Sequence, residues 1–409
     1  MKKALITGIS GFVGPYLAKR LLNSGWEVYG LLRRTSTPTI PDRVAHLGIA
    51  GRVRMVDGDL TDLTSLLDTL DVAKPDAIFH LAAQSYVPRS FVNPLETCRV
   101  NTLGTANLLE AVRIKNLDCK VIFAGSSEEY GLQFASQEQY DQARQKYGTI
   151  FPEPVHIPEL PIDEKNLLRP MSPYAVSKVQ CDFLLQNYHY SYRMKTVISR
   201  GFNHEGAGRG DHFVTASIAR QCVQLKQQET NRILLGNVNA FRDWSHVLDI
   251  VEGYALLEEK AASGDVYVQG SMRTHSVLSY LLLALDEIGY KVESVAAFSG
   301  QKRVDNPLEE APQKRFGATW TGTRVDDAML EGSLEYQAED KGLTVRTSQG
   351  DVRVEFDIER FRPSEVPILL SDTRKIQALG WKVQKSVRDI VRDQVNYYFD
   401  EGRRKKSRA

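Results

Sequence analysis

Three observations predict an α/β protein built on a Rossmann-type, doubly wound parallel sheet with a smaller C-terminal lobe. Short apolar runs alternate with amphipathic stretches from residue 4 onward. A glycine turn, Thr7-Gly8-Ile-Ser-Gly11-Phe-Val-Gly14, stands between the first apolar run and the first amphipathic stretch. Further along, Tyr174 and Lys178 lie four residues apart at the start of a helical pattern, so they share a face.

Taken in order, strands are expected at 4–6, 26–32, 53–56, 77–80, 121–124 and 196–199, and helices at 16–23, 62–70 and 95–115. The tyrosine helix begins at Ser172-Pro173 and continues through Phe183, Leu184, Leu185 and Tyr188. Two segments break the rhythm. Residues 132–168 are polar and punctuated by Pro152, Pro154, Pro158 and Pro161, which reads as an extended surface excursion. Residues 293–361 are β-rich: Leu343-Thr-Val-Arg-Thr347 and Val352-Arg-Val-Glu-Phe356 alternate around a turn, a hairpin signal. An inserted flap or an oligomer contact is one reading of them, and a passive decoration the other. The division expected is a dinucleotide-binding domain over 1–200, with 240–270 returning to it, and a substrate lobe over most of 201–409.

Composition narrows the partners. Lys plus Arg is 52 against 51 for Asp plus Glu, and a net charge of +1 gives no electrostatic footprint for nucleic acid or an anionic membrane. Small molecules are the expected ligands. Cys98, Cys119, Cys181 and Cys222 form no C-x-x-C pair, and with the eight histidines they show no metal-ligand spacing. They read as reduced thiols of a cytoplasmic protein. The apolar run after Met1-Lys2-Lys3 is broken by Thr7, Gly8, Ser10 and Gly11, unlike a secretory signal, and no stretch approaches the roughly 20 apolar residues of a membrane span. The basic residues 403–406 read as a solvated end.

Chemistry is concentrated at the expected strand ends. Gly8, Gly11 and Gly14 let a backbone approach a pyrophosphate at a helix N-terminus. After the second strand, where an NAD site carries an acid, Arg33-Arg34 and Thr35-Ser36 suit a 2′-phosphate and favour NADP. Asp59-Leu60 follow the third strand; a helix cap and an adenine contact both fit. Ser126, Glu128 and Glu129 follow the strand at 121–124, where hydroxyls and carboxylates face a ligand crevice; a helix cap or turn is the bland alternative. An ammonium beside a phenol lowers the phenol's pKa, so Tyr174 with Lys178 forms a candidate base, although such pairs are common on exposed helices. Asn203, His204, Glu205 and Arg209 follow a later strand, and His204 reads as a structural histidine. Arg242-Asp243 suits either a diphosphate or a structural ion pair.

These residues together resemble the nucleotide-sugar branch of the extended short-chain dehydrogenase/reductase superfamily. The general match is Thr7-Gly8-x-x-Gly11-x-x-Gly14, His80-Leu-Ala-Ala-Gln-Ser85 and Tyr174-x-x-x-Lys178. A narrower set resembles the GDP-mannose 4,6-dehydratases: Ser126-Ser-Glu128, Phe202-Asn-His-Glu205, Phe213-Val-Thr215, Ala240-Phe-Arg-Asp-Trp244 and Arg362-Pro-Ser-Glu365. The GDP-4-keto-6-deoxymannose reductases are a close second through Ser126-Ser-Glu-Glu-Tyr-Gly131. The chain departs from the dehydratase pattern at Ser217, where lysine is usual.

The resemblance implies bound NADP, a nucleotide-diphosphate-sugar substrate and a homodimer or homotetramer. Catalytic roles fall to Ser126, Glu128, Tyr174 and Lys178. Cofactor contacts are implied for Thr7, Phe12, Val13, Leu81, Ala82 and Ala83, beside the glycines, the arginine pair, Asp59 and Leu60. Substrate contacts are implied for Ser85, Ser126, Asn203, Glu205, Arg209, Val214, Arg242, Arg362 and Glu365. A reductase or epimerase would share the same base, and a dinucleotide-sensing regulator on this fold would need none of it.

Overall fold

A computed structural model describes residues 1–33, 40–361 and 366–400. Its centre is a parallel sheet of β1 (Lys3–Thr7), β2 (Glu27–Leu32), β3 (Val53–Asp57), β4 (Ala77–His80), β5 (Lys120–Ala124), β6 (Lys195–Gly201) and an edge strand, Val266–Gln269. From that edge the order runs Val266–Gln269, β6, β5, β4, β1, β2, β3, and every neighbouring pair is parallel. The order reverses between β1 and β4, which opens a crevice at the carboxyl ends of those strands.

β1 shows why this sequence must lie between two helical layers. Its side chains alternate in direction, and Ala4, Leu5 and Ile6 are all fully buried. Ala4 and Ile6 pack with Leu17, Ala18 and Leu21 of α1 (Val13–Asn23) and with Ile250 and Tyr254 of the Val247–Lys260 helix. Leu5 packs on the opposite face with Leu66, Leu70, Leu108 and Leu185.

The long helix expected at 95–115 is broken into Pro94–Cys98, a π-turn at Arg99–Leu103 and Gly104–Ile114. The tyrosine helix spans Pro173–Tyr192, with Ser172 capping it by accepting from the Ala175 amide at 3.1 Å. Its inner face is Tyr174, Lys178, Cys181, Asp182 and Leu185, whereas Phe183, counted into the apolar spacing, is 56% exposed.

Residues 132–168 hold a helix, Gln137–Tyr147, that sequence reasoning left out. Ser136 caps it, Gly148 follows it at φ +81°, and Ala143 packs with Leu132, Phe134 and Ile150. Arg169 ties the segment down through a buried bidentate pair with Glu159, both contacts at 2.8 Å.

The hairpin at 342–356 pairs as expected, Val345 opposite Val352. It belongs to a sheet ordered Val304–Asp305, Val292–Ala297, Gly342–Thr347, Gly350–Phe356 and Arg232–Leu235, the last two strands parallel. Val295, Leu343, Val345 and Val354 are fully buried against the Val277–Glu287 and Val214–Lys226 helices. The segment is therefore core of the C-terminal lobe rather than a flap or a passive decoration. The pairing with Arg232–Leu235 bridges distant parts of the sequence, and no local pattern announces it.

Candidate active site

The glycine turn is tight because backbone fills the space beside it. Gly8 has φ +79°, and a Cβ there would lie 2.9 Å from the Ala82 nitrogen. A Cβ on Gly14 would lie 2.5 Å from the Gly8 carbonyl oxygen. Phe12 precedes α1 without a side-chain cap, and the first turn carries no acid, so the first turn of the helix has no side-chain anion of its own. That cradle fits a dinucleotide pyrophosphate.

A buried polar chain holds the turn against β4. Thr7 Oγ1 accepts from the Leu81 and Ala82 amides, each at 3.1 Å, and lies 2.8 Å from His80 Nδ1. Thr105 Oγ1 spends its proton on the Asn101 carbonyl at 2.7 Å, so at 2.9 Å it accepts from His80 Nε2. Thr7 consequently donates to Nδ1, and His80 is neutral with its proton on Nε2. Burial, reinforced by the positive charge of Lys178, lowers the His80 pKa to about 3, in keeping with that tautomer. Thr7 thus acts beneath the cradle, fully buried, as its scaffold.

The sequence-derived catalytic set converges. Ser126 follows β5 and accepts from the Glu128 amide at 3.2 Å in a short 3₁₀ turn, Ser127–Glu129. The turn reading and the site reading of this segment therefore hold together. Tyr174, Lys178 and Ser126 are all buried, so the Tyr-Lys pair is not a solvated one. Tyr174 and Ser126 are hydrogen-bonded. Lys178 Nζ donates to the Ala124 carbonyl at 2.6 Å and lies 5.9 Å from the Tyr174 ring centre.

The expectation that Lys178 brings the phenol toward neutrality is not met by this geometry. Burial pushes the Tyr174 pKa up and the charge of Glu128 adds to it, as that of Glu129 does when ionised, while the Ser126 hydrogen bond and the Arg209 charge pull it down. Burial likewise lowers the pKa of Lys178. The cation acts first on the strand end.

On the sugar side, residues 204–209 close over the glycine turn. Phe12 stacks on His204 at 6.4 Å, Tyr16 donates to the Ala207 carbonyl at 2.8 Å, and Arg43 Nε donates to the Gly208 carbonyl at 2.7 Å. Tyr86, next to exposed Ser85, meets His212 at 5.3 Å and Phe213 at 6.2 Å, which brings Ser85 toward Val214 at the head of its helix. The Arg209 guanidinium lies 3.5 Å from the Phe213 ring centre and 5.3 Å from that of Phe12. Asn203 Oδ1 is buried without a hydrogen-bond partner among the described residues, which fits a polar group reserved for a ligand, whereas Arg209 Nε faces the Glu205 carboxylate in a buried ion pair.

Three assignments are corrected. Glu205 does not face a ligand: its carboxylate is 3% exposed and accepts from Thr215 Oγ1 at 2.6 Å and Gln394 Nε2 at 3.3 Å, with Arg209 Nε 3.3 Å away. Arg242 is buried and donates to the Phe241 and Val366 carbonyls at 2.8 and 2.7 Å, so it braces backbone. Its neighbour Asp243 binds Ser271 and Ser371 rather than completing the ion pair with it. Asp59 caps no helix: Asp62 does, and Asp59 accepts from the Thr61 amide and hydroxyl, each at 2.8 Å. The Thr61 amide bond lowers the Asp59 pKa, with the charges of Arg33 and Arg99 contributing. Leu60 packs into the core beside Gly104. Among the other cofactor candidates, Val13 opens α1, Ala83 is half-buried and Arg33 is exposed at the end of β2. Arg34, Arg362 and Glu365 lie outside the described residues.

His204 is structural, as expected, with Nδ1 2.9 Å from the Phe202 carbonyl and its pKa lowered by burial to about 4. Ser217, at the position of the departure noted above, is buried and lies 3.2 Å from Gln221 Nε2. Asn101 was missed: it bonds Gln84 on both its amide atoms and Ser177 of the tyrosine helix at 2.9 Å. An asparagine inside a helical pattern carries no signal for that role. Among the described residues no His/Cys/Asp/Glu group could hold a metal ion, and no helix is long and apolar enough to cross a membrane.

A family model described as the NAD dependent epimerase/dehydratase family matches residues 4–270. The GDP-mannose 4,6-dehydratase of Sinorhizobium fredii is 32% identical over 408 residues, covering 97% of this chain and 97% of the relative. The human protein of that name is 30% identical over 402 residues, covering 96% and 90%. Among solved structures, RMD of Pseudomonas aeruginosa complexed with NADPH superposes with a TM-score of 0.67 at 24% identity, covering 98% of this chain and 100% of that one. DesIV, a dTDP-glucose 4,6-dehydratase of Streptomyces venezuelae with NAD and TYD bound, gives 0.68 at 22% identity, covering 98% of each. At these identities the structural likeness is one of fold.

Proposed function

Since the chain belongs to the NAD dependent epimerase/dehydratase family, we propose that it is an NADP-dependent nucleotide-sugar 4,6-dehydratase converting GDP-mannose to GDP-4-keto-6-deoxymannose. The observation that carries the reading is the convergence of buried Tyr174, Lys178 and Ser126 with Glu128 at one strand end, beside a pyrophosphate cradle. An epimerase or a reductase needs the first three residues, and a carboxylate beside them adds a base for a second carbon. The names of the full-length relatives supply the substrate. Arg33 and Arg34, in place of an acid after β2, support NADP over NAD.

A nicotinamide dinucleotide, when bound, supplies reversible hydride acceptance. Tyr174, as the phenolate that the charge of Arg209 favours, takes the proton of the sugar C4 hydroxyl and becomes the neutral phenol. Ser126 donates to the C4 oxygen and polarises the ketone, which acidifies C5. Glu128 then removes the C5 proton and protonates the departing C6 hydroxyl, so water leaves and the carboxylate is restored. Lys178 holds the nicotinamide ribose. Asn203 and Arg209 hold the remote nucleotide diphosphate and so aim the hexose. The role falls also to Ser85, Val214, Arg362 and Glu365.

Product analysis on a panel of nucleotide hexoses tests this. A 4-keto-6-deoxy product from GDP-mannose, without net consumption of NADPH, is expected. Failure on every member of the panel would sink the proposal, and stoichiometric oxidation of NADPH by a 4-keto sugar would make the protein a reductase.

A further inference from the structure

Behind Ser126 and Lys178 lies a set of charged groups that the proposed reaction does not use. Glu129 and Asp182 have wholly buried side chains, and Arg200, on β6, is 6% exposed. Arg200 Nε lies 2.8 Å from Asp182 Oδ2 and 3.5 Å from Glu129 Oε2. Its Nη1 is directed to the Tyr130 hydroxyl and the Glu164 carbonyl, each at 3.2 Å. Glu129 folds back under the strand end, where Oε1 accepts from the Ser126 amide at 2.6 Å. Only a glycine permits this, because a Cβ on Gly125 would lie 2.7 Å from that same oxygen.

Two carboxyl groups therefore face one guanidinium in a site without water access. Lys178 Nζ donates to the Ala124 carbonyl. Glu129 Oε2 has no hydrogen-bond donor among the described residues, and Arg200 Nε lies closer to Asp182 than to it. Two buried carboxylates repel and one guanidinium balances only one of them, which favours a proton on the less well held carboxyl, Glu129. We propose that Glu129 keeps its proton at neutral pH, and that, as a neutral acid, it is a positioning residue that fixes Ser126 and keeps a further negative charge from Tyr174.

Burial raises the Glu129 pKa well above the usual carboxylate range, the charge of Asp182 adds to it, and Arg200 opposes both. The charged and titratable groups around Glu129 are Asp182, Lys178 and Tyr174 from the helix, Arg200 from β6, Glu128 and Tyr130 from its own turn, and Glu164 from the 132–168 segment. An ionised Glu129 would push the phenol up, which opposes proton removal from a sugar hydroxyl. The acid also acts through geometry, since the Ser126 amide it holds sets where the Ser126 hydroxyl points.

The kinetic half of the test rests on the proposed function; the other half does not. Folded Glu129 keeps its proton above the ordinary carboxyl value of 4.5. The folded state then binds more protons than the unfolded one, and stability falls as pH rises from 4.5 toward the raised value. Glutamine is neutral throughout, accepts from the Ser126 amide and donates to Asp182. The melting temperature of Glu129→Gln relative to the wild type is expected to climb as pH rises from 4.5; a difference independent of pH would overturn the retained proton. In turnover, Glu129→Ala is expected to lower kcat on the order of 100-fold through misplacement of Ser126. Glu129→Gln is expected to restore most of that loss. A glutamine variant as slow as the alanine one, or an alanine variant as fast as the wild type, would overturn the positioning role. A wild type inactive on every sugar would instead refute the dehydratase reading, with the melting series still deciding on the proton.

Discussion

Replacing Gly14 by alanine sets two physical effects against each other. In a helix, alanine is favoured over glycine by about 1 kcal/mol, so propensity alone makes Gly14→Ala a stabilising change. The contact predicts the opposite. The new Cβ would stand 2.5 Å from the Gly8 carbonyl oxygen and 2.9 Å from the Ile9 Cα, both backbone atoms that no rotamer change can move. Ordinary contact begins near 3.4 Å, so the turn and α1 must separate by about 0.9 Å. Overpacking of this kind costs about 1–3 kcal/mol. Because it spreads the pyrophosphate cradle itself, the same energy appears as a loss of roughly 10- to 100-fold in NADP affinity. Titration calorimetry with NADP, paired with thermal melts, reads both quantities. Gly51→Ala, where a Cβ meets nothing within 4 Å, is the control. A Gly14→Ala protein that melts higher than the wild type and binds NADP unchanged would refute the reasoning.

Three more outcomes are expected. Glu128→Gln should cut elimination of water by 10²–10⁴-fold while leaving C4 oxidation, seen as nicotinamide absorbance at 340 nm in a single turnover, largely intact; equal loss of both steps would count against separate roles. His80→Asn should be destabilised at pH 7, and its deficit should shrink by about 1.4 kcal/mol per pH unit as pH falls from 6.5 toward 3, because only the wild type must keep an imidazole neutral there. A deficit constant with pH in denaturant titrations would contradict the neutral state of His80. Glu159→Ala leaves the Arg169 guanidinium buried without its carboxylate and should cost about 3–5 kcal/mol, measured by urea unfolding; a loss below 1 kcal/mol would mean that water reaches the site.

Six of the seven strands of the central sheet are legible because each is short and bounded by turn residues, and the glycine turn because its context is local; the edge strand Val266–Gln269 is not among the expected strands. Tyr174 and Lys178 were found by helical spacing, and Ser126 and Glu128 by standing at a strand end. What escaped depends on contacts distant in sequence. Glu129, one residue from Glu128, turns under the strand because Gly125 leaves room and Arg200 waits on β6, an arrangement that only the folded chain assembles. Glu205 and Arg242 are named as substrate contacts by the resemblance, yet Thr215, Gln394 and two backbone carbonyls already hold them. The Gln137–Tyr147 helix is a different omission: Ser136 with Gln139 and Gly148 marks both its ends in the sequence, and the surrounding prolines drew the eye away.

The attachment of residues 132–168 has an evolutionary consequence. Gly131 and Arg169 are bridge partners, the Leu132 amide donates to the Arg169 carbonyl, and the Arg169 amide donates to that of Tyr130. The segment leaves and rejoins the protein at one point, so the path from Ser126 to Tyr174 is short whatever lies between. Such a junction is a graft site: residues 132–158 can lengthen or shrink without stretching the backbone that carries the base, provided that Arg169 keeps its carboxylate and that Ile162 and Glu164 keep their bonds to Leu370, Asp372, Val268 and Arg200. Diversity at the rim is thereby uncoupled from chemistry at the centre.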